Sequence, residues 1–297
     1  MAWLDTYTRL RYTAANAHPV LRGYRKGGRL GCRPDERHLP AGRWIVEGGL
    51  MVLANWQQVE TDGSTMRMHV STPDGPGPFP GLVVIQHQGG IDEFMQRMTR
   101  RLAEAGYVAA APDLYHRDGP DCTDDPATRR SRLGDRRVIN DINATIGFLG
   151  RQSAVHDSRF GVIGFCMGGR LAYLMAAVNP GLKAAVAYYP GNTFRAWGRD
   201  LPSPFERIPD VHCPLQGHFG ADDKNPSPED MEKLDTELNK FGKAHEFYSY
   251  VNAGHAFMDS TKESYRRHAA EASWPRTLEF LGRYLSTPAS ERTAACK

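Results

Sequence analysis

The sequence predicts an α/β fold, a mostly parallel, doubly wound sheet flanked by helices. Three observations carry that expectation. Short apolar runs at 81–86, 107–111, 160–164, 182–189 and 214–219 suit buried strands and are too short for helices. Helical segments fall between them, at 92–105, 134–151, 167–178 and 228–241. Strands that alternate with helices are joined by crossovers, which makes them parallel. Finally, 40% of the 297 residues are hydrophobic and 24% charged, enough apolar material for a sizeable core.

Taken in order, residues 1–50 stand apart. Up to Glu47 they carry nine Lys and Arg against four Asp and Glu, are rich in Gly, and show no helical or strand period. They read as a basic, loosely structured N-terminal extension. The regular pattern starts just after Met51, which makes Met51 a second candidate for the natural start. The globular domain is expected over 51–288, with a short tail at 289–297. Residues 59–60 and 66–70 flank Asp62-Gly63 and read as a hairpin. The stretch from Asp74 to Pro80 is a Gly/Pro loop, and Gly106 closes the first helix. Pro112 stops the strand at 107–111. A polar surface loop is expected at 116–130 and a Pro/Gly/Trp-rich loop at 190–212. A strand at 245–251 and a helix at 262–286, broken near Pro275, complete the pattern.

Bulk features exclude several classes. The net charge, 37 − 34 = +3, gives no strong nucleic-acid or membrane signal. No apolar run approaches the ~18 residues that span a bilayer. The first twelve residues hold Asp5, Arg9 and Arg11 and do not read as a secretory leader. The five cysteines, at 32, 122, 166, 213 and 296, contain no C-x-x-C pair, so reduced thiols in a cytoplasmic protein are expected. G-x-G-x-x-G after a strand, the P-loop pattern and H-E-x-x-H are all missing, and no cofactor or metal is expected. Oligomeric state is left open.

In doubly wound sheets, ligands sit beyond the carboxyl ends of the strands. There, Gly164-Phe165-Cys166-Met167-Gly168-Gly169 lies between a strand and a helix, as a nucleophile elbow requires. Gly164 and Gly168 satisfy the need for small residues two places either side of the nucleophile. A thiol with a pKa near ~8.5 needs a nearby base or a helix N-terminus to react at neutral pH. His255, in Ala253-Gly254-His255-Ala256-Phe257, follows the strand at 245–251 and can be that base. Asp222 or Asp223, after the preceding strand, can orient the imidazole; spacing alone admits either.

Over roughly 57–286 the chain resembles the dienelactone hydrolase family of α/β-hydrolases. The resemblance rests on Gly106-Tyr107 with Pro112-Asp113-Leu114-Tyr115, the Gly164 to Gly169 block, Tyr188-Tyr189-Pro190-Gly191, Gly220 to Asp223, and Gly254-His255-Ala256-Phe257. It implies an α/β-hydrolase fold and a triad of Cys166, His255 and Asp223. The chemistry is then acyl transfer, with the oxyanion held by the backbone N–H groups of Met167 and Gln88. Asp113 is expected to bond the backbone of the loop that follows it.

Two positions depart from the family. Where members have a glutamate facing the resting cysteine, this chain has His87, read as lining the pocket. Where an arginine holds the substrate carboxylate, four residues past the histidine, it has Asp259; Arg129, Arg130 or Arg132 could take over. Tyr115, Phe194 and Trp197 are candidate apolar pocket residues. The expected partner is a small-molecule ester or lactone, with activated esters such as enol lactones favoured. The alternatives are a broad carboxylesterase or thioesterase on the same scaffold, and a hydrolase-like binding protein without turnover.

Overall fold

The strand order β1-β2-β3-β4-β6-β5-β7-β8-β9-β10 forms one sheet in the computed structural model. It describes residues 37–39, 43–45, 51–119, 121–199 and 201–286. The 289–297 tail, Cys32, Cys296 and most of the N-terminal extension lie outside these. Two strands, β1 (Arg37–Leu39) and β2 (Arg43–Ile45), fall in the stretch read as lacking regular structure. Three-residue strands are too short to show a period, and β2 is held by pairing with β3 (Met51–Thr61).

The hairpin of β3 and β4 (Ser64–Pro73) turns at Asp62-Gly63, both with positive φ (47° and 72°), as a two-residue hairpin loop demands. From β1 to β4, and on to β6, all pairings are antiparallel. The strands β5 (Phe79–Ile85), β6 (Val108–Pro112), β7 (Val155–Phe165), β8 (Leu182–Tyr188), β9 (Leu215–Gly220) and β10 (His245–Tyr250) pair in parallel. All their carboxyl ends therefore reach one rim.

Alternation along the central strands divides the core into two layers. Val83, Ile85 and Val162 face α3 (Asp135–Gly150), α4 (Met167–Val178) and α5 (Pro228–Lys240). Leu82, Val84, Ile163 and Phe165 face α1 (Glu93–Glu104) and α6 (Arg267–Leu285). Helix α4 begins at the proposed nucleophile, and its residues from Met167 to Ala177 are all buried. Burying a large apolar side chain contributes about 1.5–3 kcal/mol, so this helix is anchored along its length.

Two helices differ from expectation. A short α2 (Pro126–Ser131) interrupts the expected loop at 116–130. Asp125 caps it, accepting the Ala127 and Thr128 N–H groups at 2.9 and 3.1 Å, and Pro126 opens its first turn. Helix α6 continues through Pro275 instead of breaking there. An interior proline costs about 3 kcal/mol; the buried Ala269, Ala270, Ser273, Thr277, Phe280 and Leu281 on either side hold both halves against the sheet.

Candidate active site

Cys166 sits where β7 passes into α4 with φ 56° and ψ −114°. Holding a non-glycine residue in so sparse a region costs about 1–3 kcal/mol. The surroundings enforce it: its N–H donates to the Tyr188 carbonyl at 3.0 Å, and its own carbonyl accepts from Arg170 N–H at 3.2 Å. A Cβ at Gly164 would run into the Gly168 carbonyl, and one at Gly168 into the Ile85 carbonyl. The two glycines are thus what lets the turn close against β5. The sulfur stands at the N-terminus of α4, where the helix dipole favours an anion.

His255 reaches the same rim from beyond β10. Its Nδ1 is 2.8 Å from Asp223 Oδ2, and Asp223 Oδ1 accepts the Asn225 N–H at 3.0 Å. A carboxylate only accepts, so Nδ1 carries the proton and Nε2 is free for the sulfur. Asp222 is exposed while Asp223 is buried, which decides between the two aspartates as the imidazole's partner. Gly220 permits the meeting, because a Cβ there would strike the Ala253 carbonyl of the histidine loop. Phe257 anchors that loop, with its ring 5.2 Å from Tyr189 and 5.3 Å from Tyr250. Burial works against a charged His255, but the hydrogen bonds and charges of Asp223 and Cys166 outweigh it and raise its pKa to about 10. Asp223 and Cys166 therefore together favour the protonated form of the His255 ring.

Facing them is the turn after β5. The Gly90 N–H donates to the His87 carbonyl at 3.1 Å. The His87 side chain is bonded at both nitrogens: Gly89 N–H donates to Nδ1 at 3.0 Å, and Nε2 lies 2.9 Å from Asp92 Oδ2. The Tyr115 hydroxyl donates to the Gln88 carbonyl at 3.0 Å and touches the Met167 sulfur at 3.7 Å. Burial pushes the Tyr115 phenol well above its usual range against the pull of Arg129 and Arg130, so it stays a donor. One residue, Tyr115, thus contacts both of the expected oxyanion-hole positions, Gln88 and Met167. The sequence suggested Tyr115 only as an apolar pocket wall.

The sequence profile of the dienelactone hydrolase family matches residues 66–285. The chain belongs to this family. An Escherichia coli (strain K12) protein named "Putative carboxymethylenebutenolidase" is 32% identical over 240 residues, spanning 78% of this chain and 88% of its own. A Methylorubrum extorquens protein of the same name is 33% identical over 218 residues, with 71% and 75% covered. The crystal structure of a Klebsiella pneumoniae protein named "Putative Dienelactone Hydrolase" superposes with a TM-score of 0.72 at 30% identity, covering 78% of this chain and 99% of that one. The α/β-hydrolase fold expected from the sequence holds.

Other candidates are placed differently from this dienelactone hydrolase core. The Phe194 ring packs 4.6 Å from Phe205, and Trp197 covers the Arg170 guanidinium at 4.0 Å. Arg170, which the sequence did not single out, is fully buried and forms a two-pronged ion pair with Asp135 at 2.6 and 2.9 Å. It also donates to the Asn192 and Arg195 carbonyls, tying the 190–199 loop to α4. Asp113 accepts Tyr115 N–H at 3.1 Å and pairs with Arg67, matching its expected backbone role. Asp259 is buried; it accepts the Thr261 N–H and hydroxyl and has Lys262 at 3.9 Å. Arg129 and Arg132 are paired with Asp118, and Arg129 stacks on Tyr115 at 4.3 Å.

Cys122, Cys166 and Cys213 are free thiols, and burial pushes Cys213 up to about 12. Among the described residues, no group of three or more His, Cys, Asp or Glu side chains could hold a metal ion. Among the same residues, no helix is long and apolar enough to cross a membrane. A shallow depression on the β3–β4 hairpin, lined by Trp56, Gln57, Gln58 and Arg67, contains none of the residues at the rim.

Proposed function

We propose that this chain hydrolyses activated esters and enol lactones through Cys166, His255 and Asp223. One observation carries the reading: a cysteine strained onto a helix N-terminus interacts with an imidazole whose other nitrogen is bonded to a buried carboxylate. In the first half-reaction the Cys166 thiolate adds to the carbonyl carbon. The oxyanion is held by the N–H groups of Met167 and Gln88. The C–O bond then breaks, the imidazolium of His255 gives its proton to the departing oxygen, and a thioester remains. In the second half, neutral His255 takes a proton from water, the hydroxide adds to the thioester, and the thiolate leaves. Asp223 keeps the ring in the Nδ1–H tautomer throughout.

Sulfur restricts the substrate. A thiolate, whose conjugate acid has a pKa of ~8.5, leaves the tetrahedral intermediate far more readily than an alkyl alkoxide. Alkyl esters therefore fall back, while enolates and phenolates depart. The names of the relatives, which cite a butenolide, support a lactone of this type. Position 259 supports a second reading, a carboxylesterase for neutral acyl groups, since Asp259 there is buried and bonded to Thr261 and supplies no cation for a substrate carboxylate.

The test is an ester panel combined with intact-protein mass spectrometry of His255→Ala after exposure to an aryl ester. The expected results are acylation of Cys166 and hydrolysis of enol lactones and aryl esters well above alkyl esters. Equal rates on alkyl and aryl esters would overturn the leaving-group argument. A Cys166 that iodoacetamide alkylates no faster than Cys122 would point instead to a binding protein without turnover.

A further inference from the structure

We infer that His87 is a positioning residue that aims the Gln88 N–H into the oxyanion pocket, in a tautomer imposed by Asp92. This rests on the mechanism proposed above but assigns His87 a task that lining a pocket would not require.

The turn at 87–90 contains two adjacent glycines, so its backbone alone admits several peptide orientations. Side chains remove that freedom. The peptide between Gln88 and Gly89 is held at both ends: its carbonyl by the Tyr115 hydroxyl at 3.0 Å, its N–H by His87 Nδ1 at 3.0 Å. The peptide between His87 and Gln88 has its carbonyl bonded by Gly90 N–H at 3.1 Å. The Gln88 N–H then has no partner among the described residues and is left for a ligand. The imidazole also lies directly against Gly89, where a Cβ would strike its Cε1, so only a glycine there lets the ring pack on the turn.

Hydrogen-bond chemistry fixes the proton. Gly89 N–H can only donate, so Nδ1 must be an acceptor. The Asp92 carboxylate can only accept, so Nε2 must carry the hydrogen at 2.9 Å. Asp92 is itself held: it caps α1, taking Met95 N–H on its other oxygen at 3.1 Å. The path from the end of α1 through Asp92 and His87 to Gly89 is a chain of directed bonds, each setting the next. A His87 with its proton on Nδ1 would present a donor to a donor and release the Gly89 peptide.

Three variants test this: His87→Leu, His87→Asn and Asp92→Asn. Asparagine at 87 can accept the N–H two residues on, as in an Asx turn. Asparagine at 92 keeps the helix cap but offers its amide to Nε2, which moves the ring proton to Nδ1. Each variant is assayed for hydrolysis of p-nitrophenyl acetate and for alkylation of Cys166 by iodoacetamide, which uses no oxyanion hole. Losing an oxyanion donor costs about 10²–10³ in rate; a misaimed donor is expected to cost about 10–100-fold. His87→Leu should lose that much in kcat, with KM and alkylation within about twofold of the parent. His87→Asn should recover kcat to within about threefold. Asp92→Asn should fall like His87→Leu, and added to His87→Asn it should cost nothing more.

A His87→Asn as slow as the leucine variant, or a leucine variant changed in KM alone or equally in alkylation, overturns the inference. Nitrogen-15 NMR reads the geometry without turnover. A proton on His87 Nε2 and a Gly89 amide shift displaced by His87→Leu support the inference; a proton on Nδ1 refutes it. A parent protein that hydrolyses no ester but passes the NMR test would fail the proposed function and leave the hydrogen-bond chain standing.

Discussion

Two histidine–aspartate pairs follow strand ends at the carboxyl rim of the sheet, and the aspartates bond opposite ring nitrogens. At His255 the aspartate takes Nδ1–H, at 2.8 Å, and frees Nε2. At His87 the aspartate lies 2.9 Å from Nε2 and leaves Nδ1 to accept a backbone N–H. Distance and residue type are nearly the same; what differs is the object of the free nitrogen. One faces a sulfur that can exchange protons, the other a peptide that cannot. A histidine–carboxylate contact therefore does not mark a base; the partner of the remaining nitrogen does.

The largest effect should come from the pair that moves a proton. His255→Ala is expected to lower kcat/KM for an aryl ester by about 10²–10⁴-fold, with the fold intact by circular dichroism. An equal loss from His87→Asn would erase the distinction between the pairs. Next, Asp223→Asn should move the alkaline limb of the kcat/KM profile down from about 10 towards the free imidazole value near ~6.5. An unmoved limb would mean that the carboxylate does not set the proton on His255. The same raised pKa bears on stability. Its contribution is fully present below ~6.5 and is lost as pH rises through about 10. The urea midpoint of the parent should thus fall more between neutral and strongly alkaline pH than that of His255→Gln. Smallest is Tyr115→Phe, which removes one bond to the Gln88 carbonyl and should lower kcat about two- to tenfold. A larger loss would shift weight in the His87 region from the imidazole to the phenol.

Much of this was legible in the sequence because strand ends and glycines leave strong marks. The block from Gly164 to Gly169 reads as an elbow because only small residues survive contacts as close as those of Gly164 and Gly168. Spacing alone does not separate Asp223 from Asp222; the family resemblance does, and in the fold Asp223 is the buried one of the two and bonds His255. Helix α2 could have been found: Asp125 followed by Pro126 is a cap and a first-turn proline. Helix α6 shows the reverse, a local breaker outweighed by packing on both sides. The sequence supports no more than pocket lining for His87, because nothing in a sequence says where its two nitrogens point. Phe194 and Trp197 stand out in the sequence by their apolar bulk, yet Trp197 covers a guanidinium that no pattern announces.

That guanidinium has a consequence for anyone wishing to alter substrate range. Arg170 spends its donors on Asp135 and on carbonyls of the 190–199 loop, with no water-exposed surface left. Removing one member of such a buried pair typically costs about 3–5 kcal/mol. The loop therefore cannot be swapped like an ordinary surface insertion. A graft has to bring matching backbone acceptors, or exchange Arg170 and Asp135 together, and single-step evolutionary routes through either position are closed.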